Sequence, residues 1–327
     1  MPVTRIINSF DPLVRLLLLA ILLASAVPVS EEWFDTARFS SNAGIFLLFL
    51  LNGLRLPRAE VRRGLLNPRY LLPLTVWCFL VMGMAGLGLS RLSDSWLPAE
   101  MALGLLFLGL LPSTVQSATA YSSLAGGNVA ASVVAAAVLN ILGVFATAPL
   151  LALLAGTQSV ELDIDALQRI ATILILPFVS GQILQTRLGH YIKEHKYLVT
   201  WLDRGVIALA VYVAFSSAVS QGLWTSMAMH VWGAMLALIA AFLAFGFIGA
   251  WLAGGLLKLD RGTRIAFLFA GGQKSIAIGA PLAAVLFPPS VAGLLLVPVL
   301  IYHLAQMIVS ARIAAILKPA PVIQPAQ

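Results

Sequence analysis

The stretch FAGGQKSIAIGAP, Phe269 to Pro281, decides how this chain is read. It is small and apolar apart from Lys274, and it lies inside a long hydrophobic segment. With that segment taken as Thr263 to Leu286, eleven residues precede Lys274 and twelve follow it. At about 1.5 Å of rise per residue, the lysine sits roughly 17 Å from either end, near the midplane of a bilayer. Lysine at that depth costs about 2.5–3.5 kcal/mol on insertion scales. Its side chain is too short to snorkel to an interface from there. An ionisable residue in this position points to function and needs a partner.

Composition supports the membrane setting. The 327 residues are 60% hydrophobic and 10% charged, against about 25% charged in a soluble domain. Segments of roughly 20 apolar residues, enough to span a bilayer, recur along the whole length. The net charge of +7 fits basic cytoplasmic loops better than a nucleic-acid partner. The single Cys78 excludes an internal disulfide and a cysteine metal cluster. It lies in LTVWCFLVMG and reads as a packed, inert thiol.

Ten spans are expected, at about 12–29, 40–54, 70–89, 98–124, 129–155, 166–187, 205–222, 229–257, 263–286 and 290–316. With a cytoplasmic N-terminus, sixteen of the twenty basic residues fall inside: Arg5, Arg15, Arg55, Arg58, Arg62, Arg63, Arg69, Arg187, Lys193, Lys196, Arg204, Lys258, Arg261, Arg264, Arg312 and Lys318. Arg38, Arg91 and Arg169 fall outside, and Lys274 is the twentieth. Eight of the thirteen acids, Glu31, Glu32, Asp35, Asp94, Glu100, Glu161, Asp163 and Asp165, also lie outside. Lys/Arg asymmetry sets orientation, so both termini are expected in the cytoplasm, in a cell or inner membrane. The order of basic residues, LLLLAILL and ASA resembles a secretory signal. The basic region is spread over the first fifteen residues and includes Asp11, so the segment is taken as the first span.

Apart from Glu100, at the outer edge of the fourth, no acid lies inside these ten spans. Lys274 is therefore expected to bond to carbonyls at a broken helix, to Gln116 or Ser117, to water or to an anionic substrate, or to sit as a neutral amine. Each option puts it in a polar cavity.

Ten spans divide into two halves of five, about 1–158 and 159–327 of a single transmembrane domain. Because five is odd, the second half is inverted. Transporters of this build bind substrate near the midplane, where interrupted helices of the two halves meet. The fourth span of the first half reads GLLPSTVQSATAYSSLAGGN, and that of the second reads FLFAGGQKSIAIGAPL. They are interrupted at Leu111-Pro112-Ser113 and at Gly271-Gly272. Each then carries a glutamine and a nearby serine, Gln116-Ser117 and Gln273 with Ser275. Backbone groups freed at Pro112, Gly271 and Gly272 need partners, which only protein or a water-filled cavity supplies. Gln116, Ser117, Thr119, Gln273 and Ser275 add side-chain oxygens suited to hard cations or polar organic ligands. Any one of these hydroxyls alone would read as helix packing; two breaks at matching positions read as a site.

Three further polar groups sit in the fifth span, GNVAASVVAAAVLNILG. Asn128 and Ser132 share a helix face and can line the same site as Gln116. Asn140 reads equally as a site residue or as interhelical glue. In the last span, His303 and Gln306 share a face, suited to a packing network or to a proton relay.

LLNGLRLPRAEV, LPSTVQSATAYSSLAGGNVAASV, LPFVSGQIL, WLDRGVIALAVYVAFSSAV and LFAGGQKSIAIGAPLAAVLFP together resemble the bile acid:sodium symporter superfamily, solute carrier family 10. Within it the chain is similar to the bacterial symporter-like branch that includes the atypical seventh human member. The resemblance implies an all-α polytopic membrane protein of ten transmembrane helices, in two inverted five-helix repeats whose spans 4 and 9 break and cross. It also implies secondary transport of organic anions, usually driven by sodium. In the bile acid branch a Glu-x-x-x-Gln pattern of the span-9 helix takes part in sodium binding. Here Phe269 stands at the glutamate position, and Lys274 follows the glutamine where that branch often has Asn. The branch's Ser-Asn pair falls near Ser117-Ala118 or Ala118-Thr119. Ser132 matches a sodium-site serine, whereas Ala136 stands in place of a threonine. Two like charges in one cavity repel, so from this departure Lys274 is expected to stand in for one bound sodium, with weakened sodium dependence, or proton coupling if the amine titrates.

The expected activity is secondary, symporter-like transport of a small organic anion, with sodium ions or protons as coupling ions and no other cofactor. A channel or regulator of ion flux is the alternative. No HExxH, nucleophile elbow or phosphate loop marks an enzyme. A purely structural role leaves the paired breaks and Lys274 unexplained.

Overall fold

The computed structural model describes residues 11–56, 68–155, 168–224 and 227–318. Arg5, Arg58, Arg62, Arg63, Glu161, Asp163, Asp165 and the boundary between the two expected halves lie outside the described residues. All regular structure among the described residues is helical. The helices are α1 (Pro12–Ala26), α2 (Glu31–Arg55), α3 (Pro68–Ser93), α4 (Ala99–Leu110), α5 (Gln116–Leu124), α6 (Val129–Ala155), α7 (Ile170–Glu194), α8 (Lys196–Ser220), α9 (Met229–Leu256), α10 (Arg261–Gly272), α11 (Ile276–Leu286) and α12 (Pro289–Leu317).

Among the described residues, eight segments are long and apolar enough to cross a membrane: α2, α3, α6, α7, α8, α9, α10 with α11, and α12. The apolar helices α1 and α4 are shorter. The chain is an all-helical integral membrane protein. Two segments run further than hydropathy alone implies. α2 begins at Glu31, nine residues before the apolar run, with Glu31 and Glu32 in its first turn. Acidic side chains there complement the positive end of the helix dipole. α8 begins at Lys196, so Asp203 and Arg204 are helical. The absence of acids from the spans is corrected at this point: Asp203 lies within a candidate membrane-crossing helix and pairs with Arg55 of α2.

α3 contains a π-helical segment, Val76–Val81, shortly after Pro73. There the Met82 N–H reaches back to Trp77 O, one residue beyond its α-helical partner Cys78. That leaves the Cys78 carbonyl free. Cys78 is packed as expected, its thiol 3.6 Å from Ala270 O.

The centre of the bundle is formed by α10–α11 and α4. The segment α10–α11 is 94% buried, whereas most other crossing helices are buried over less than half of theirs. Every residue of α4 from Met101 to Leu110 is buried. Around these, α9 packs on α10, α12 on α4 and α11, and α8 on α1, α2 and α12. The non-helical stretch with Gln273 and Lys274, between α10 and α11, is tolerated there because protein, not lipid, surrounds its backbone.

Candidate functional site

Two breaks meet at the middle of the bundle. α4 ends at Leu110 because Pro112 has no N–H to continue the ladder. Leu111, as the residue before proline, is extended at φ −67°, ψ 145°. α10 ends at Gly272, and the chain is extended at Gln273 and Ser275 before α11 starts. The second break is therefore Gln273–Ser275, just after the two glycines. Gly271 and Gly272 are the last helical residues. Their role is close approach: a Cβ on Gly272 would lie 2.9 Å from the Phe247 ring, and one on Gly271 2.8 Å from Trp77.

The freed backbone is almost fully accounted for. Ser275 N–H donates to Pro112 O at 2.8 Å, joining the two breaks directly. Asn140 Nδ2 donates to Ser113 O (3.0 Å), and Thr147 Oγ1 to Leu110 O (3.0 Å). Tyr302 OH donates to Gly272 O (2.6 Å), and Trp77 Nε1 to Gly271 O (3.2 Å). Gln306 clasps the backbone of Lys274: Oε1 accepts from its N–H at 2.7 Å, and Nε2 donates to its carbonyl at 2.9 Å.

This clasp settles the state of His303. A backbone N–H must meet an oxygen, so the Gln306 amide is oriented, and its Nε2 faces His303 Nδ1 at 2.9 Å. Nδ1 therefore accepts, and the ring proton sits on Nε2.

Lys274 is 1% exposed. Its Nζ donates to Cys78 O (2.8 Å), Gly109 O (2.7 Å) and Leu111 O (2.8 Å). Of the partners open to it from sequence, it takes the carbonyls at the broken helix. It does not line the cavity described next.

Gln273 is fully buried. Its Nε2 donates to Ser310 Oγ at 2.8 Å, turning Oε1 toward the hydroxyls of Thr114 and Ser117. Ser117 Oγ is 2.7 Å from both Thr114 Oγ1 and Gln273 Oε1. Three side-chain oxygens thus converge between the breaks.

A cavity of about 460 Å³ lies against this crossing. Gln116, Ser117, Asn140, Ser275 and His303 line it, together with Thr114. Its apolar wall includes Val144, Phe178, Ile207 and Met307. Asp11, Asn52, Arg55, Thr200, Asp203 and Arg204 also line it. Arg55 is neutralised by Asp203, whereas Arg204 makes no ion pair among the described residues and stacks 5.4 Å over Trp201. The charged members were missed because a positive loop residue and a cavity-lining one look alike in a sequence. The helical start at Lys196 is what turns Asp203 and Arg204 inward.

Asn128 and Ser132 are not brought to this cavity. Asn128 caps α6, its Oδ1 accepting from Ala131 N–H at 3.0 Å, and its N–H donates to Gly262 O at 2.9 Å. Ser132 and Thr119 carry buried hydroxyls without a hydrogen-bond partner among the described residues. Phe269, fully buried, stacks on Tyr121 with ring centroids 6.0 Å apart. No group of three or more His, Cys, Asp or Glu side chains suited to a metal occurs among the described residues.

The chain is similar over residues 11–319 to the SBF-like CPA transporter family. It is 36% identical over 302 residues to the uncharacterized protein PA2026 of Pseudomonas aeruginosa, covering 91% of this chain and 90% of that one. It is 32% identical over 317 residues to the "Putative symporter YfeH" of Escherichia coli, covering 95% and 93%. It is also 27% identical over 164 residues to the uncharacterized protein YbaS of Bacillus subtilis, about half of each chain.

Proposed function

The chain belongs to the SBF-like CPA transporter family, and on that premise we propose that it is a secondary active transporter of a small organic anion. The observation that carries this reading is the 460 Å³ cavity that ends on the crossing of two broken helices. Buried irregular backbone at membrane depth is what such carriers use to bind substrate. The cavity is mostly apolar, with polar groups at the crossing and Arg204 among its charged residues, which suits an amphipathic anion.

The finer architecture belongs to the same proposal. In it, ten spans form two inverted five-helix repeats, with α4–α5 and α10–α11 as the corresponding broken spans. α1 and α4 are then the shorter pieces that complete the count. Both termini are cytoplasmic. Arg55 and Arg204, which the charge count assigns to that side, line the cavity, so the conformation described is an inward-facing one. A YfeH-like symport activity is extended to this chain by the same reasoning.

Coupling is proposed to depend little on sodium. Thr114, Ser117 and Gln273 supply three neutral oxygens, and no carboxylate among the described residues hydrogen-bonds to them; Phe269, which stands where the resemblance places a glutamate, packs on Tyr121. Lys274 supplies a fixed positive charge nearby. Proton coupling is the second form of this proposal.

The test is a thermal-shift screen of organic anions on the purified protein, followed by proteoliposome uptake of the best binder under sodium or proton gradients. Saturable uptake lost in Arg204→Ala and nearly independent of sodium is expected. A steep requirement for two sodium ions would sink the coupling proposal. Flux that never saturates would replace the carrier with a channel.

A further inference from the structure

Lys274 has no carboxylate within ion-pair distance among the described residues, and its three contacts are all backbone carbonyls. An ammonium carries three N–H donors and no lone pair, whereas a neutral amine carries two donors and a lone pair. Three acceptors at 2.7–2.8 Å match the ammonium donor for donor. A neutral amine would turn its lone pair on a carbonyl oxygen.

Each carbonyl is available for an identifiable reason. Cys78 O is released where Met82 N–H bonds Trp77 O in the π-helical segment of α3. Gly109 O and Leu111 O lie at the end of α4, beyond which Pro112 stops the ladder. The carbonyl end of a helix carries the negative end of its dipole and favours a cation. Two unrelated backbone irregularities, from α3 and α4, thus aim oxygens at one point, and the second break places Nζ there.

We infer that these three carbonyls form a binding site for a primary ammonium group or a monovalent cation of similar size, and that the chain fills this site with its own side chain. Occupancy is permanent because the ligand is covalently attached. All three donors of Lys274 are committed, so it neither contacts the transported ligand nor exchanges during the cycle. It clamps the second break to the carbonyl end of the first. The link to coupling rests on the transporter reading above; the site itself rests on the three contacts alone.

The experiment uses the full chain in detergent, with thermal unfolding followed in ammonium, methylammonium or tetramethylammonium chloride at equal ionic strength. Lys274→Ala is expected to unfold several degrees below wild type and to regain at least half of that loss in ammonium or methylammonium. Tetramethylammonium, which has no N–H, restores nothing. Lys274→Met, which keeps the bulk and fills the space, is not rescued, and wild type responds to none of the three salts. A Lys274→Ala protein as stable as wild type, or one rescued equally by tetramethylammonium, overturns the inference. If neither variant folds, nitrogen-15 NMR of wild type decides. Of the five lysines, the buried one must give a slowly exchanging ammonium signal at neutral pH, and a neutral amine there overturns the site. Thermal rescue reads the cation site and proteoliposome uptake reads transport, so either can fail while the other stands.

Discussion

The two breaks differ in what holds them open. The first, after Leu110, is made by covalent structure, since Pro112 lacks the N–H that would carry α4 onward. The second, Gln273–Ser275, contains no proline, and its N–H groups could extend a helix. It stays open because Gln306 takes both backbone groups of Lys274, Tyr302 takes Gly272 O, and Pro112 O takes Ser275 N–H. One break is local and the other is tertiary. Lys274 ties them together, since it is anchored in the second and bonded to the carbonyls of the first. A rearrangement of α12 would therefore be felt at the second break before the first.

The sharpest test of that contrast is Gln306→Leu. It strips partners from two buried backbone groups, at about 1–3 kcal/mol each. The largest fall in unfolding temperature among these substitutions is expected, measured in detergent. A variant as stable as wild type would mean that the second break needs no clasp.

Pro112→Ala probes the local break. It restores an N–H and frees the backbone, and loss of the proline constraint costs about 0.5–1 kcal/mol. The carbonyls here keep Asn140, Thr147, Lys274 and Ser275 as partners, so the break should persist. Stability should fall little by the same unfolding assay, while anion binding at the cavity beside Thr114 and Ser117 weakens. A large gain in stability would show that α4 had fused with α5 and that the proline alone made the break.

The smallest effect on the breaks themselves belongs to the far end of α10, remote from both. Asp260 caps that helix, its Oδ1 accepting from Thr263 N–H at 3.1 Å. Hydrogen bonds from Thr263 hold its carboxyl below the ordinary carboxylate range. A depressed folded-state value means that the cap stabilises above the unfolded pKa of about 3.9 and is lost as pH falls through the lower folded value. Asp260→Ala should cost about 1 kcal/mol at neutral pH. Asp260→Asn should keep the cap and flatten the acid side of the stability profile. A profile unchanged in Asp260→Asn would remove the carboxylate from that dependence.

Much of this was legible in the order of residues, and the exceptions have physical causes. Lys274 was visible because a charge amid apolar residues costs so much that its neighbours must answer it, wherever they lie in the chain. Pro112 was visible because its effect on backbone is covalent. The two glycines do not themselves interrupt the helix. Gly271 and Gly272 make room for Trp77 and Phe247, and the chain opens one residue later. Asp203 falls just outside the seventh span expected at 205–222, because an amphipathic helix that runs past the apolar segment has no hydropathy edge at its true start. Asn128 caps α6 and bonds to Gly262, and neither it nor Ser132 lines the cavity.

What the residues determined alone is the class of molecule: apolar runs long enough to cross a bilayer, a lysine midway along one of them, and a proline that must stop a helix. These follow from transfer energies and covalent geometry, which need no neighbours. Only the tertiary structure decided where the lysine's three protons go, which way the Gln306 amide faces, and which charged residues line the cavity. Each of those depends on a donor and an acceptor far apart in the chain, such as Lys274 and Cys78, meeting within hydrogen-bond distance. No pattern within one segment encodes such a meeting.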